Sequence, residues 1–223
     1  MAAITAQNLT SGGGGTGNTA TTASISPGAN RLVIVTVQSY LNGGSPATPT
    51  VSGASMTWVQ IATRQSSSAS EWRITLFRGL SASPGSGALT IDFGGTNNQT
   101  QWSVDEFDNV SLGGTNGSAA VIQAASNDSS GTSTGITVTL GTFSGVNNAT
   151  FGALVQAGVN ATVAVGSGFT LLINTQNNGR VVTEWKGSND TGVDWTWSSA
   201  TEKSIAMAIE IKAESAGGFF AFM

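Results

Sequence analysis

Residues 55–80, SMTWVQIATRQSSSASEWRITLFRGL, decide the fold. Two runs of alternating side chains flank a polar segment, and each arm carries a tryptophan. In the second arm Trp72, Ile74 and Leu76 alternate with Arg73, Thr75 and Phe77, a period of two that turns one apolar row toward a core. The linker Gln65 to Ser70 has nothing to bury and is expected as a solvent-exposed hairpin loop.

The same pattern extends in both directions. Arg31 to Tyr40, RLVIVTVQSY, is the most β-branched run and reads as a central strand. Leu89, Ile91 and Phe93, then Ile136, Val138 and Leu140, keep the alternation, and Thr150 to Ala157 adds another run. Phe169 to Thr175 and Arg180 to Lys186 are joined through Asn177-Asn178-Gly179, whose Asn-Gly step accepts positive φ and suits a hairpin. Ile205, Met207, Ile209 and Ile211 line one side of a closing strand, with the small Ala206 and Ala208 on its other side. Strands at this spacing, with no helical stretch, predict an all-β fold: an antiparallel two-sheet β-sandwich, jelly-roll-like.

The expected organisation is an N-terminal arm over residues 1–18 with a Gly-rich joint, one sandwich domain over 19–213, and an apolar tail over 214–223. No internal repeat of fixed period is visible. The tail ends in Phe219, Phe220, Phe222 and Met223, which are costly to leave in water, so it is expected to dock on its own domain or on a neighbouring subunit.

Composition narrows the chemistry. Charged residues make up 9% of the 223, against about 25% in ordinary soluble domains, and Gly, Ser, Thr and Asn replace them. The net charge is −4, and the eight Lys and Arg are scattered, so counterion release from a phosphate backbone has little to act through and no nucleic acid partner is expected. Absence of Cys and His removes thiolate nucleophiles, imidazole bases, disulfides and the usual zinc ligands. No cofactor or metal is expected. The N-terminus lacks a basic leader, and no run approaches the roughly 18 apolar residues of a membrane span, so the expectation is a protein assembled in a cytoplasm without a membrane partner.

MTWVQIATR, EWRITLFRGL, a strand carrying EFDNV and a closing AMAIEIK together resemble β-sandwich modules of phage structural proteins and bacterial surface proteins, over roughly residues 20 to 213. The resemblance implies a non-enzymatic virion component, a capsid decoration, fibre or tail-associated protein, with other virion proteins as partners and a homo-oligomeric state. It transfers no catalytic residue to any position here.

Two constellations offer chemistry. Asp105, Glu106 and Asp108 suit a calcium site or one half of a glycosidase pair completed by Asp92, Glu184 or Asp194, but strand alternation sets Asp105 opposite Glu106 and Asp108. The competing reading is a solvated strand end. Trp185, Trp195 and Trp197 lie in adjoining runs, and exposed rings there would stack on sugars of a surface glycan, the basis of an alternative role as a carbohydrate-binding adhesin; the competing reading makes them core or interface. Trp58, Trp72 and Trp102 are read as core. A Ser-Lys hydrolase would need Lys186, Lys203 or Lys212 beside a suitable serine, and nothing around them marks one.

Overall fold

The computed structural model describes residues 2–129, 131, 133–157, 162–177, 179–199 and 203–215. Among the described residues, sixteen antiparallel strands fall into two sets of eight. The first contains β1 (Thr5–Gly14), β2 (Gly17–Thr21), β3 (Leu32–Tyr40), β4 (Thr50–Gly53), β5 (Val59–Gln65), β6 (Trp72–Leu80), β7 (Leu89–Asn97) and β8 (Gln99–Asp108). The second contains β9 (Val121–Ser129), β10 (Gly135–Thr139), β11 (Ala149–Gln156), β12 (Val163–Val165), β13 (Thr170–Gln176), β14 (Arg180–Lys186), β15 (Gly192–Trp197) and β16 (Ser204–Ile211).

Both sets have one plan. The first forms a five-stranded sheet, β1-β8-β3-β6-β5, and a three-stranded sheet, β2-β7-β4; the second forms β9-β16-β11-β14-β13 and β10-β15-β12. Every strand thus has a counterpart eight strands later. Register repeats as well. β5 skips a residue between Gln60 and Ala62, and β13 skips one between Leu171 and Ile173. At the hairpin ends Gln65 pairs with Arg73 and Gln176 with Arg180, and in each case a guanidinium Nη2 donates to the glutamine Oε1, at 3.1 and 2.7 Å. The single sandwich expected over 19–213 is therefore two consecutive eight-strand units. Their repeat lacks a fixed period because the second unit has shorter connections: equivalent residues drift from Gln7 and Gln123 to Glu106 and Glu210, steadily closing in sequence. Each unit is divided five and three, since β5 and β13 return as hairpins onto the larger sheet.

The layers stack small sheet, large sheet, large sheet, small sheet. Val33, Val35, Phe77, Trp102 and Val104 face Leu89, Ile91 and Phe93 in the first unit. Leu154, Val182, Ala206 and Ala208 face Ile136, Val138, Val193, Trp195 and Trp197 in the second. Between the large sheets lies a third apolar layer with Leu32, Ile34, Ile74, Leu76 and Phe107 from one unit and Phe151, Val155, Val181, Ile205, Met207 and Ile209 from the other. Each such aliphatic or aromatic side chain contributes about 1.5–3 kcal/mol by burial. The packing is reciprocal: β1 lies on β13 and β9 on β5, β8 on β14 and β16 on β6. That exchange is the signature of an isologous contact, so the chain has the build of a two-fold dimer joined end to end.

This stacking explains where alternation misled. Both faces of the large sheets are covered, so Thr75 and Phe77 are as buried as Ile74 and Leu76, and β3, β8, β11 and β16 are buried almost throughout. The N-terminal arm is also corrected. Thr5–Gly14 is an edge strand paired with β8 along its length, and its glycines allow close approach: a Cβ at Gly12 would lie 2.7 Å from the Trp102 ring. The loop at Ser66 to Ser70 is no free hairpin tip either, because the Ser67 N–H donates to Asp128 and Lys203 donates to the Ser68 carbonyl, both in the other unit. Among the tail residues, Phe219, Phe220, Phe222 and Met223 lie outside the described residues.

Candidate functional site

The carboxylates are organised as clasps, contrary to the solvated strand-end reading. Glu106, 2% exposed, accepts from the Gln7 amide at 2.7 Å, the Gly28 backbone N–H at 2.6 Å and Arg31 at 2.9 Å. Beside Glu106 and Asp108, the Arg31 guanidinium is held above its ordinary pKa. Glu210 occupies the equivalent place and accepts from Gln123 at 2.6 Å, from the Ser144 N–H and hydroxyl at 2.8 and 2.7 Å, and from Asn148 at 2.5 Å. Burial pushes the Glu210 carboxyl up, but these donors outweigh it and hold it below the usual range. In both units one glutamate on the last strand ties down the first strand and the loop entering the third.

Asp105 faces the other way, into the layer between the large sheets. It accepts from Asn8 at 2.8 Å and Ser103 at 2.7 Å, with the Thr183 hydroxyl facing it from β14, and burial raises its carboxyl to about 6 against those donors. Glu184 points instead toward the second small sheet. Burial raises it to about 8, the Gly166 N–H opposes this, and the charges of Asp194 and Asp190 add to it. Asp105 and Glu184 therefore address different layers and cannot flank one bond, as a glycosidase pair must. Among the described residues no group of three acidic side chains could hold a metal ion.

The tryptophan platform is also corrected. Trp195 is fully buried and Trp197 is 5% exposed; both rings fill the core of the second unit, where Trp195 lies over Gly152 and Trp197 Nε1 donates to the Ser133 carbonyl. Trp185 projects from the opposite face of the large sheet and meets Phe107 edge-on at 6.4 Å. Odd-numbered residues of β14 face the central layer, so the three rings never share a surface. Trp72 and Trp102 are core as expected, whereas Trp58 is only partly buried.

A cleft that sequence reasoning missed opens where the two units meet, with a volume of about 330 Å³. Its walls are Tyr40 and Trp72 of the first unit, Asn98 between β7 and β8, Gln99 at the start of β8, Gly14 and Gly15, and Ala157 and Asn177 of the second unit. The Tyr40 and Trp72 rings are 4.5 Å apart and tilted by 33°. Trp72 is wedged beneath Gly179, which leaves the half-buried Tyr40 as the accessible ring. Local hydrogen bonds fix the rim: the Asn98 N–H donates to the Tyr40 carbonyl at 2.7 Å, the Asn42 N–H to Asn98 Oδ1 at 2.8 Å, and Tyr40 Oη to Asn42 Oδ1 at 3.2 Å. Gln99 crosses between the units to the Asn177 carbonyl at 2.5 Å. Burial and the nearby Glu71 charge raise the Tyr40 phenol, keeping it neutral. One signal was available: Tyr40 is the only tyrosine of the chain, placed where a central strand runs into Asn42-Gly43-Gly44.

Comparison of the chain with protein-family models, with curated proteins and with solved structures gave no match.

Proposed function

We propose that this chain is a non-enzymatic structural protein of a phage particle, attached to capsid or tail as a decoration or fibre component. The observation that carries the reading is the use made of the buried glutamates. Glu106 and Glu210 have their oxygens engaged by loop backbone and strand amides, so one buried carboxylate in each unit acts as a fastener. Two such fastened units share a central apolar layer, which gives a stiff block suited to display on a particle surface. The sequence resemblance to phage structural modules supports the same reading, and the apolar residues 219–223 are the proposed attachment element.

Immunogold imaging of the native source with an antibody against the folded chain tests this. Label on particle heads or tails is the expected result; label on cell envelopes with none on particles would refute it. A chain lacking residues 217–223 should fold normally and lose particle attachment, and unchanged attachment would remove the tail from the proposal.

A further inference from the structure

We infer that the cleft between the two units is a binding site for a neutral saccharide, with Tyr40 as the stacking surface. Three observations converge. The accessible ring is braced from behind by Trp72, so its face is presented without freedom to collapse. A pyranose ring has one C–H-rich face that packs on such an aromatic surface.

Around that ring the polar groups are amides. Asn98 Oδ1 is occupied by the Asn42 N–H, which leaves its Nδ2 uncommitted, and the exposed Asn177 side chain is likewise uncommitted. Amides donate and accept at once and so match sugar hydroxyls, which do the same. No Lys, Arg, Asp or Glu is among the described residues that line the cleft, which favours an uncharged ligand and disfavours phosphate. Its volume of about 330 Å³ sits near the lower end of the roughly 300–1,000 Å³ of ligand sites, suiting one or two sugar rings.

The third observation is an asymmetry in the repeat. Counting along β3 and β11 from the equivalent Leu32 and Ala149, the counterpart of Tyr40 is Ala157, and both line this cleft. A second aromatic at that place would fill the space; a methyl leaves it open. A further hollow of about 340 Å³, at Ala2, Ala3, Val146, Asn147 and Gly187, has no aromatic wall and lacks this combination. The inference stands apart from the virion reading, since a particle protein and an envelope protein could each carry such a site.

The test is an NMR titration of the isotope-labelled full chain with methyl glycosides of glucose, galactose, mannose and N-acetylglucosamine, the disaccharides maltose, cellobiose and lactose, and sialic acid as a charged arm. At least one neutral sugar is expected to shift the resonances of Tyr40, Asn98, Gln99 and Asn177 in a saturable manner. Tyr40→Ala and Ala157→Leu should each weaken that binding about tenfold or more, while Tyr40→Phe should change it little. Two variants keep the test decisive should one of them not fold. No shift at the cleft with any neutral sugar at tens of millimolar, shifts with sialic acid alone, shifts mapping elsewhere, or undiminished binding in the folded variants would overturn the inference.

Discussion

Asp105 is expected to make this protein more stable in mild acid than at neutral pH, and Asp105→Asn should remove its share of that dependence. The carboxyl is 0% exposed in the layer between the large sheets, and its pKa rises from 3.8 to about 6. A raised carboxyl pKa means that the folded state holds the proton more tightly than the unfolded chain. Stability is then fully present below about pH 3.8 and falls as pH rises through 6, the opposite of the usual aspartate. A shift of about two units at 1.36 kcal/mol per unit makes the cost of ionisation about 3 kcal/mol at neutral pH. Asparagine keeps its Oδ1 as the acceptor for Asn8, has no charge to desolvate, and sets its Nδ2 beside the Ser103 hydroxyl, which can accept in place of donating. Urea unfolding followed by tryptophan fluorescence, at steps from about pH 4 to about pH 8, gives the free energy of each form. The variant should match the wild type at the acid end and exceed it by about 3 kcal/mol at pH 7. Because Glu184 titrates in both proteins, their difference isolates Asp105. A flat difference curve, or a variant weaker than wild type at pH 7, would refute the reasoning.

Glu184→Gln should remove a second decline, running from pH 4.5 to about 8, seen as an unfolding midpoint that exceeds that of the wild type by a margin growing across that window, the Asp105 decline being common to both. Glu210→Ala strips the acceptor from Ser144, Asn148 and Gln123 and should cost about 3–5 kcal/mol, with a matching fall in the urea midpoint. Since the Glu210 pKa is lowered, its contribution is present above the ordinary glutamate range and fades as pH drops through the folded value, so the variant's deficit should shrink in acid. Gly152→Ala would set a Cβ 2.6 Å from Val193 and 2.7 Å from Trp195; differential scanning calorimetry should show a loss of about 1–3 kcal/mol. Residues 1–110 made alone would expose Leu32, Ile34, Ile74, Leu76 and Phe107, so sedimentation should find dimers or aggregates, and a stable monomer would contradict the shared layer.

What the sequence determined by itself was the strand class and most strand positions, because a period of two is written into local runs such as Trp72 to Leu80 and Ile205 to Ile211. The β13–β14 hairpin was equally legible, with Gln176 paired to Arg180 at its end, while Asn178 of the expected turn lies outside the described residues. Layering was decided only by tertiary structure. Nothing in the alternation of β8 distinguishes a face open to water from one covered by a second sheet, so Asp105 and Glu106 read as a solvated strand end although both are buried. The same ambiguity left Trp195 and Trp197 open between a sugar-stacking surface and the core, which is where they lie. The repeat was hidden because its equivalences lie in hydrogen-bond register and in contacts such as Gln65 to Arg73 and Gln176 to Arg180, while loop lengths differ between the units. The Tyr40 cleft, built from turns distant in sequence and from an alanine where the repeat has tyrosine, exists only once the two units pack together.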